Sequence, residues 1–255
     1  MAGSLTVVGT GIKSISHLTN EAAMAIKFAD KVLYGAGEPL TTRWIVDNAK
    51  SADCLDDLYE EGKDRMATYD AMAEVILSNV RAGLNVCVSF EGHPGIFVHV
   101  THRCIRTARA EGFRTRIFPG ISAQDCLVAD LLIDTAEYGC QSFEATDFLL
   151  RRYRPDVTSM LVLWQVGCIG LGTFSRERQP EKNVRILIDV LVGFYGSEHN
   201  VFAYQAPLFT ISKPSITRTP LANLANVDLG LSTLYVPPLR EGEINVELLD
   251  RFGIC

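Results

Sequence analysis

The stretch Ser89-Phe90-Glu91-Gly92-His93-Pro94-Gly95-Ile96-Phe97 decides the fold class of this chain. It is a Gly/Pro turn that follows an apolar run, residues 84–90, and such a run predicts a buried strand. A second turn, Phe118-Pro119-Gly120-Ile121-Ser122-Ala123, follows another short predicted strand, residues 114–118. Two such turns can place backbone amides at one crevice past the carboxyl ends of strands, where open α/β sheets bind ligands. Taken alone, each turn is more typical of an ordinary loop.

Strands and helices alternate over the first half of the chain, which is typical of an α/β fold with a mostly parallel sheet. Thr19 is the expected N-cap of the first helix. Strands are predicted over residues 4–8, 31–34, 84–90 and 114–118, and helices over 18–29, 38–49, 68–82 and 98–111. In the second half, strands are predicted over 160–164, 201–206, 215–219 and 231–236, with helices over 182–194 and near the C-terminus. A boundary near Pro119-Gly120 divides the chain into α/β domains of residues 1–119 and 120–255.

The composition excludes several classes of protein. The chain has 255 residues, of which 47% are hydrophobic, and a net charge of −6. A nucleic-acid partner is not expected because such proteins present basic patches. No apolar run reaches the length of a membrane span, and the N-terminus enters a predicted strand without room for a signal peptide. The seven cysteines form no CxxC pair, which favours free thiols and a cytoplasmic location.

The turn Gly9-Thr10-Gly11 follows the first predicted strand and suggests a dinucleotide fingerprint. The third glycine of that fingerprint is missing, since Ser14 stands in its place. The second predicted strand ends at Leu33-Tyr34-Gly35, with no acid to bind a ribose hydroxyl. We therefore expect a tight turn that lines a cavity.

Three histidines fall close together, and they raise the question of a metal. His99 and His102 lie three residues apart on a predicted helix and could share an ion. A catalytic zinc needs a third protein ligand, and the chain has neither an HExxH motif nor a cysteine pair nearby. We expect no metal site, and we expect His93, held in the Gly-His-Pro-Gly turn, to shape a pocket.

Tyr59, Arg65 and Tyr69 flank Gly62. Arg65 and Tyr69 are four residues apart and share a helix face if the helix begins that early. A phenol beside a guanidinium can stabilise a developing anion or tune a proton transfer. On spacing alone, a surface stack of the two side chains is the more common arrangement.

Three motifs taken together resemble the tetrapyrrole (corrin/porphyrin) methylase superfamily: Val7-Val8-Gly9-Thr10-Gly11, Gly92-His93-Pro94-Gly95-Ile96-Phe97 and Pro119-Gly120-Ile121-Ser122-Ala123. The resemblance implies two α/β domains with S-adenosylmethionine bound in the cleft between them. More narrowly, the chain resembles the borosin peptide α-N-methyltransferases, which methylate backbone amides of a ribosomal peptide. Gly62-Lys63-Asp64-Arg65 with Thr68-Tyr69 supports this narrower match, as do residues 125–131, 143–149, 163–168 and 232–238.

The resemblance also assigns site residues. Arg65 and Tyr69 match the family's catalytic Arg and Tyr, and Tyr59 matches a further active-site Tyr. Glu91 stands where members often have Tyr before Gly-His-Pro-Gly, and three alternatives stay open for it: a base, an ion-pair partner of Arg65, or a side chain that points away from the site. The implied cofactor contacts are His93, Ile96, Phe97, Ser122, Ala123, Gln165, Tyr204, Ser232 and Thr233.

The expected substrate is a separate chain. Some members of the family carry their substrate peptide as a C-terminal extension, whereas this sequence ends at Cys255, shortly after an amphipathic segment over residues 244–252. If the sequence is full length, the precursor peptide must be a separate chain, and the resemblance implies a homodimer that binds two peptides as a heterotetramer. Two alternatives stay open: C-methylation of a tetrapyrrole, and a catalytically inactive scaffold that binds peptides.

Overall fold

The computed structural model describes residues 3–35, 37–174 and 181–254, and the chain divides into two compact units. The first unit comprises Met1–Leu131 with two later segments, Leu171–Glu177 and Ala206–Ser215. The second comprises Leu132–Gly170, Arg178–Gln205 and Ile216–Cys255. Each unit contains one five-stranded sheet, so the α/β class and the presence of two α/β modules agree with the sequence pattern.

The first unit is built on a parallel sheet in the order β3-β2-β4-β1-β5. Its strands are β1 (Ser4–Gly9), β2 (Lys31–Tyr34), β3 (Ala52–Cys54), β4 (Asn85–Phe90) and β5 (Arg114–Phe118). Its helices are α1 (Asn20–Phe28), α2 (Pro39–Asn48), α3 (Arg65–Arg81), α4 (His99–Ala110) and α5 (Ala123–Leu131). Since all five strands run the same way, their carboxyl ends meet at one edge of the sheet.

Alternate side chains of β1 enter two different apolar clusters. Leu5 and Val7 pack with the buried face of α3 and α4, whereas Val8 packs with Ala22 and Ile26 of α1. Burial on both faces is typical of a parallel sheet covered by helices and explains why its strands read as continuous apolar runs.

Capping residues define where several helices begin. The Thr19 side chain accepts a hydrogen bond from the Ala22 N–H, as the sequence predicts. Helix α3 begins at Arg65, three residues before the predicted start at residue 68, because the Asp64 carboxylate accepts from the Ala67 N–H and caps it. The earlier start places Arg65 and Tyr69 on one helix, one turn apart.

The second unit has a mixed sheet in the order β6-β7-β10-β8-β9. Strands β6 and β7 are parallel, and β10 runs antiparallel to both β7 and β8. The strands are β6 (Cys140–Glu144), β7 (Met160–Trp164), β8 (Asn200–Gln205), β9 (Ser215–Pro220) and β10 (Thr233–Val236). The helices are α6 (Thr135–Tyr138), α7 (Ala145–Leu150), α8 (Glu181–Tyr195) and α9 (Val246–Phe252). A cluster that includes Phe148, Leu163, Leu187 and Leu234 forms the core.

The division between the units falls later than the predicted boundary near Pro119-Gly120. The chain leaves β5 and packs Gly120 against Gly9 and Gly92, so the turn and α5 remain with the first unit. The segments Leu171–Glu177 and Ala206–Ser215, which belong to the predicted second domain by sequence, also return to the first unit.

None of the described helices has the length and apolar character needed to cross a bilayer. The six cysteines at described positions are all free thiols.

Candidate active site

The carboxyl edge of the first sheet gathers every site residue predicted in the first unit. Gly9 ends β1, and Tyr59 lies on the connection from β3 to α3, which begins at Arg65. Glu91 to Phe97 follow β4, and Ser122 follows β5. These segments are far apart in sequence, and the parallel arrangement of the strands brings them to one edge.

Three glycine turns pack backbone against backbone at this edge. A Cβ added at Gly9 would lie 2.2 Å from the Gly92 carbonyl oxygen and 3.0 Å from the Gly120 Cα. A Cβ added at Gly120 would lie 2.3 Å from the same oxygen. Only glycine permits these approaches, and we call the three closely packed turns at Gly9, Gly92 and Gly120 the glycine cradle.

The loop after β1 is joined to the turn after β4. Gly11 and Gly92 both have positive φ, +74° and +71°, and exchange two backbone hydrogen bonds of 3.0 and 3.2 Å. The Nδ1 atom of His17 accepts from the N–H groups of Ile12 and Lys13 at 3.3 and 3.2 Å. Partial burial and then Lys13 lower the pKa of His17, which favours the neutral ring that can accept these bonds.

The Gly-His-Pro-Gly turn is fixed internally and presents two apolar side chains. The Gly95 N–H donates to Nδ1 of His93 at 3.0 Å, and the Ile96 N–H donates to the His93 carbonyl at 3.1 Å. Ile96 and Phe97 are 39% and 48% exposed. Phe97 has φ +55°, a conformation that is uncommon for a residue with a side chain and that clusters at functional sites.

The second turn ends in a reciprocal cap at the start of α5. The Ser122 hydroxyl donates to the Asp125 carboxylate at 2.6 Å and accepts from the Asp125 N–H at 3.2 Å. The same carboxylate accepts from the Ser122 N–H at 2.6 Å. The buried Ser122 is therefore rigid, and Ala123 begins the helix beside it.

Arg65, Tyr69 and Tyr59 lie near one another, and we call them the tyrosine cluster. The phenol of Tyr59 lies close enough to Tyr69 and to Arg65 for both residues to act on its pKa. The ring of Tyr69 stacks on His99 of α4 with 6.1 Å between centroids, and the ring of Tyr59 packs on Phe174 with 4.9 Å between centroids.

Burial is the largest cause that raises the pKa of Tyr59 well above its usual range. Tyr69 and Asp56 raise it further, and Arg65 opposes them. At neutral pH the Tyr59 phenol is therefore a hydrogen-bond donor and a poor source of phenolate.

Glu91 lies among acids. Although the residue contacts solvent, loss of hydration in its crowded surroundings raises the pKa of its carboxyl, and Glu38 and Asp56 raise it further. Asp56 also raises the pKa of Tyr59, so the same carboxylate lies near both Glu91 and the tyrosine cluster. The sequence-based alternative in which Glu91 pairs with Arg65 is not supported: these two described residues form no ion pair, and the groups that act on Glu91 are acidic.

The second unit brings its four predicted residues to one edge of its sheet. Gln165 follows β7 in a left-handed conformation, φ +57°, and is exposed. Strand β10 starts at this edge, where Thr233 lies opposite Tyr204 in register, so their side chains share a face. Ser232, Thr233 and Tyr204 are buried at 6%, 6% and 1% exposure.

The histidines of α4 have other partners. His102 Nε2 lies 2.8 Å from the Gly95 carbonyl oxygen, and His99 stacks on Tyr69. Within residues 3–35, 37–174 and 181–254, no group of three or more His, Cys, Asp or Glu side chains could hold a metal.

Sequence reasoning missed three residues that support the site: His17, Asp125 and Phe174. Asp125 follows Ser122 by three residues, a capping-box spacing that could have identified it. His17 and Phe174 act through contacts that no local pattern encodes.

A parallel sheet with glycine turns at its carboxyl edge is typical of α/β enzymes, which bind their ligands at that edge. Residues 4–224 match the family described as Tetrapyrrole (Corrin/Porphyrin) Methylases. The match covers most of the chain, so the protein belongs to this family of methyltransferases, whose members use S-adenosylmethionine. The resemblance recognised from the three glycine motifs is thus confirmed at the level of the superfamily.

Several curated relatives are similar over nearly the whole chain. One is the methyltransferase/ribosomally synthesized cyclic peptide gymnopeptides precursor of Gymnopus fusipes, 41% identical over 260 residues, which are 99% of this chain and 61% of that protein. The omphalotin A precursor of Omphalotus olearius is 40% identical over 258 residues, 99% of this chain and 62% of that protein. A methyltransferase/type I borosin cyclic peptide precursor of Coprinopsis marcescibilis is 44% identical over 246 residues, which are 93% of this chain and 62% of that protein. The chain spans about three-fifths of the length of these relatives.

Solved structures share the fold. Uroporphyrin-III-C-methyltransferase from Thermus thermophilus has a TM-score of 0.65 with 17% identity, covering 98% of this chain and 96% of that one. The cobalt precorrin-4 methyltransferase has a TM-score of 0.63 with 15% identity, and the match covers 93% of this chain and 96% of that one. At these identities the similarity establishes the fold.

Proposed function

We propose that this protein is an S-adenosylmethionine-dependent methyltransferase that N-methylates backbone amides of a ribosomally made precursor peptide. The observation that carries the proposal is the cluster of Arg65, Tyr69 and Tyr59 at the carboxyl edge of the first sheet. Relatives about 40% identical, whose names combine a methyltransferase with a ribosomal cyclic peptide precursor, point to the same substrate class.

We assign the cofactor to the carboxyl edge of the first sheet, where the turns at Gly9, Gly92 and Gly120 pack without intervening side chains and leave main chain at the surface of the edge. When bound, S-adenosylmethionine supplies an electrophilic methyl group on a sulfonium. In the first unit we assign its contacts to His93, Ile96, Phe97, Ser122 and Ala123. In the second unit the contacts that we propose are Gln165, Tyr204, Ser232 and Thr233.

A backbone amide nitrogen is a poor nucleophile because its lone pair is delocalised into the carbonyl. Methylation requires the amide to move toward an imidate, with negative charge collecting on the amide oxygen. Arg65 and the Tyr69 hydroxyl are the donors that would stabilise this oxygen, and one well-placed donor contributes about 3 kcal/mol.

The proton of the amide nitrogen must also leave. The raised pKa of Tyr59 argues against its phenolate as the base and favours a donor role toward Tyr69. Glu91 is therefore the candidate base, with Tyr69 as the alternative in a scheme where Arg65 alone donates to the amide oxygen. A carboxyl with a raised pKa is a stronger base than an ordinary glutamate, which favours Glu91 as one participant in proton removal.

We further propose that the precursor is a separate chain, bound by a homodimer as a heterotetramer with two peptides, in the cytoplasm. The test is to incubate the purified chain with S-adenosylmethionine and a synthetic peptide. The peptide is copied from the part of the Gymnopus fusipes relative that lies outside the matched region.

Tandem mass spectrometry should show mass gains of one CH₂ unit on backbone nitrogens, and the peptide should co-elute with the protein on size exclusion. If the protein methylates a uroporphyrinogen and no peptide, its activity is C-methylation of a tetrapyrrole and the proposal is wrong. Binding of peptide without methyl transfer would identify an inactive scaffold.

A further inference from the structure

A segment from the second half of the chain is hydrogen-bonded to the loop that precedes the catalytic helix. The Gly62 N–H donates to the Phe174 carbonyl at 2.9 Å, and the Phe174 N–H donates to the Lys63 carbonyl at 2.9 Å. The Arg65 N–H donates to the Gly172 carbonyl at 3.1 Å. These bonds form a short antiparallel ribbon, and we call residues 171–174 the returning segment.

The bond to Arg65 has a particular consequence. Arg65 is the first residue of α3, and N–H groups in a first helical turn have no acceptor within their own helix. The returning segment supplies that acceptor, so it fixes the start of the helix that carries both Arg65 and Tyr69.

Phe174 adds a side-chain contact to the ribbon. Its ring packs on the ring of Tyr59 with 4.9 Å between centroids and 32° between planes, within the usual range of aromatic pairs. The other groups that act on the Tyr59 phenol are Tyr69, Asp56 and Arg65, all from the same unit. Phe174 is thus the apolar neighbour of a phenol whose remaining named neighbours are polar or charged.

We propose that Phe174 is a positioning residue for methyl transfer: its ring holds the ring of Tyr59 in place beside Tyr69 and keeps water from the phenol. This role rests on the proposed function, since Tyr59 and Tyr69 act in it on the amide oxygen and proton. Phe174 itself touches neither substrate nor cofactor in this scheme. Burial of Tyr59, the main cause of its raised pKa, is consistent with the contact.

The proposal is tested with Phe174→Ala and Phe174→Leu, and with Phe28→Ala as a control. Phe28 lies on α1, which packs on the opposite face of the sheet, and its side chain is 66% exposed. Phe174→Ala should lower kcat by on the order of 10-fold or more, as expected when a reacting group is misplaced, with KM and cofactor affinity changed less than about 2-fold. Phe174→Leu should recover part of the loss, and Phe28→Ala should retain the wild-type kcat.

A second measurement reports on Tyr59 without any substrate. Tyrosinate absorbance at about pH 11, where an ordinary tyrosine is ionised, is compared between each protein and the same protein carrying Tyr59→Phe. In the wild-type background Tyr59→Phe should change nothing, because Tyr59 remains protonated. In the Phe174→Ala background it should remove a tyrosinate signal. If Phe174→Ala does not fold, Phe174→Leu gives the same comparison with a smaller signal.

The two proposals fail separately. An active wild type with an equally active Phe174→Ala variant, or an unchanged Tyr59 titration in that variant, overturns the positioning role alone. A wild type without peptide methylation overturns the proposed function and any catalytic meaning of the contact, whatever the titration shows.

Discussion

Gly9→Ala tests whether the three glycine turns form the cofactor cradle. The new Cβ would lie 2.2 Å from the Gly92 carbonyl oxygen, more than 1 Å inside ordinary contact, which begins at 3.4 Å. It would also lie 2.7 Å from Cδ of Pro94. The atoms in the way belong to backbone and to a proline ring, so the turn after β4 must move as a whole.

The cost follows from that displacement. Overpacking of a tight contact costs about 1–3 kcal/mol. Separation of Gly11 from Gly92 would weaken two hydrogen bonds of 3.0 and 3.2 Å, each contributing about 1 kcal/mol. We therefore expect a loss of about 2–4 kcal/mol in the free energy of unfolding and a fall in Tm on the order of 10 °C.

The assays are differential scanning fluorimetry and calorimetric titration with S-adenosylmethionine. Gly193→Ala is the matched control: this glycine lies within α8, and an added Cβ meets nothing within 4 Å. Alanine has the higher helix propensity, so the control should keep or slightly raise Tm. If the Gly9→Ala protein keeps the wild-type Tm and the wild-type cofactor affinity, the three glycine turns do not form the cofactor site.

Three further predictions concern single side chains. Arg65→Ala and Tyr69→Phe should each lower kcat by roughly 10²-fold, with cofactor affinity by calorimetry nearly unchanged; wild-type rates would return both residues to an ordinary surface stack. Glu91→Gln should retain measurable methyl transfer, since Tyr69 remains, and complete loss with intact folding would make Glu91 the sole base. Because the pKa of Glu91 is raised in the folded state, the folded protein favours the neutral carboxyl, and ionisation of Glu91 lowers the free energy of unfolding as pH rises above about 4.3. A glutamine cannot ionise, so the Tm of Glu91→Gln relative to that of the wild type should rise between about pH 4 and 7. The pKa of His17 is lowered, so the neutral ring stabilises the fold fully above about pH 6.5, and this stabilisation is lost as pH falls. Thermal melts between about pH 7.5 and 5 should show the resulting fall of Tm in the wild type and not in His17→Gln.

The sequence by itself determined the elements with strong local signals. Lys31–Tyr34, Arg114–Phe118 and Met160–Trp164 appear with the predicted bounds. For Met160–Trp164 the reason is a continuous apolar run, which favours a buried strand. The Arg65–Tyr69 spacing and the three glycine motifs also identified the family, since glycine is required wherever backbone meets backbone. The missed strands, Ala52–Cys54 and Cys140–Glu144, contain neither an apolar run nor a regular alternation of apolar and polar residues.

Only the tertiary structure decided which distant residues meet. The strand order β3-β2-β4-β1-β5 places Gly9, Gly92 and Gly120 within contact distance, and strand order depends on long-range pairing that no local pattern specifies. The same holds for the returning segment, where Phe174 meets Tyr59 across more than a hundred residues. The acidic surroundings of Glu91 arise in the same way, because a pKa depends on the charges that folding brings near, here Glu38 and Asp56.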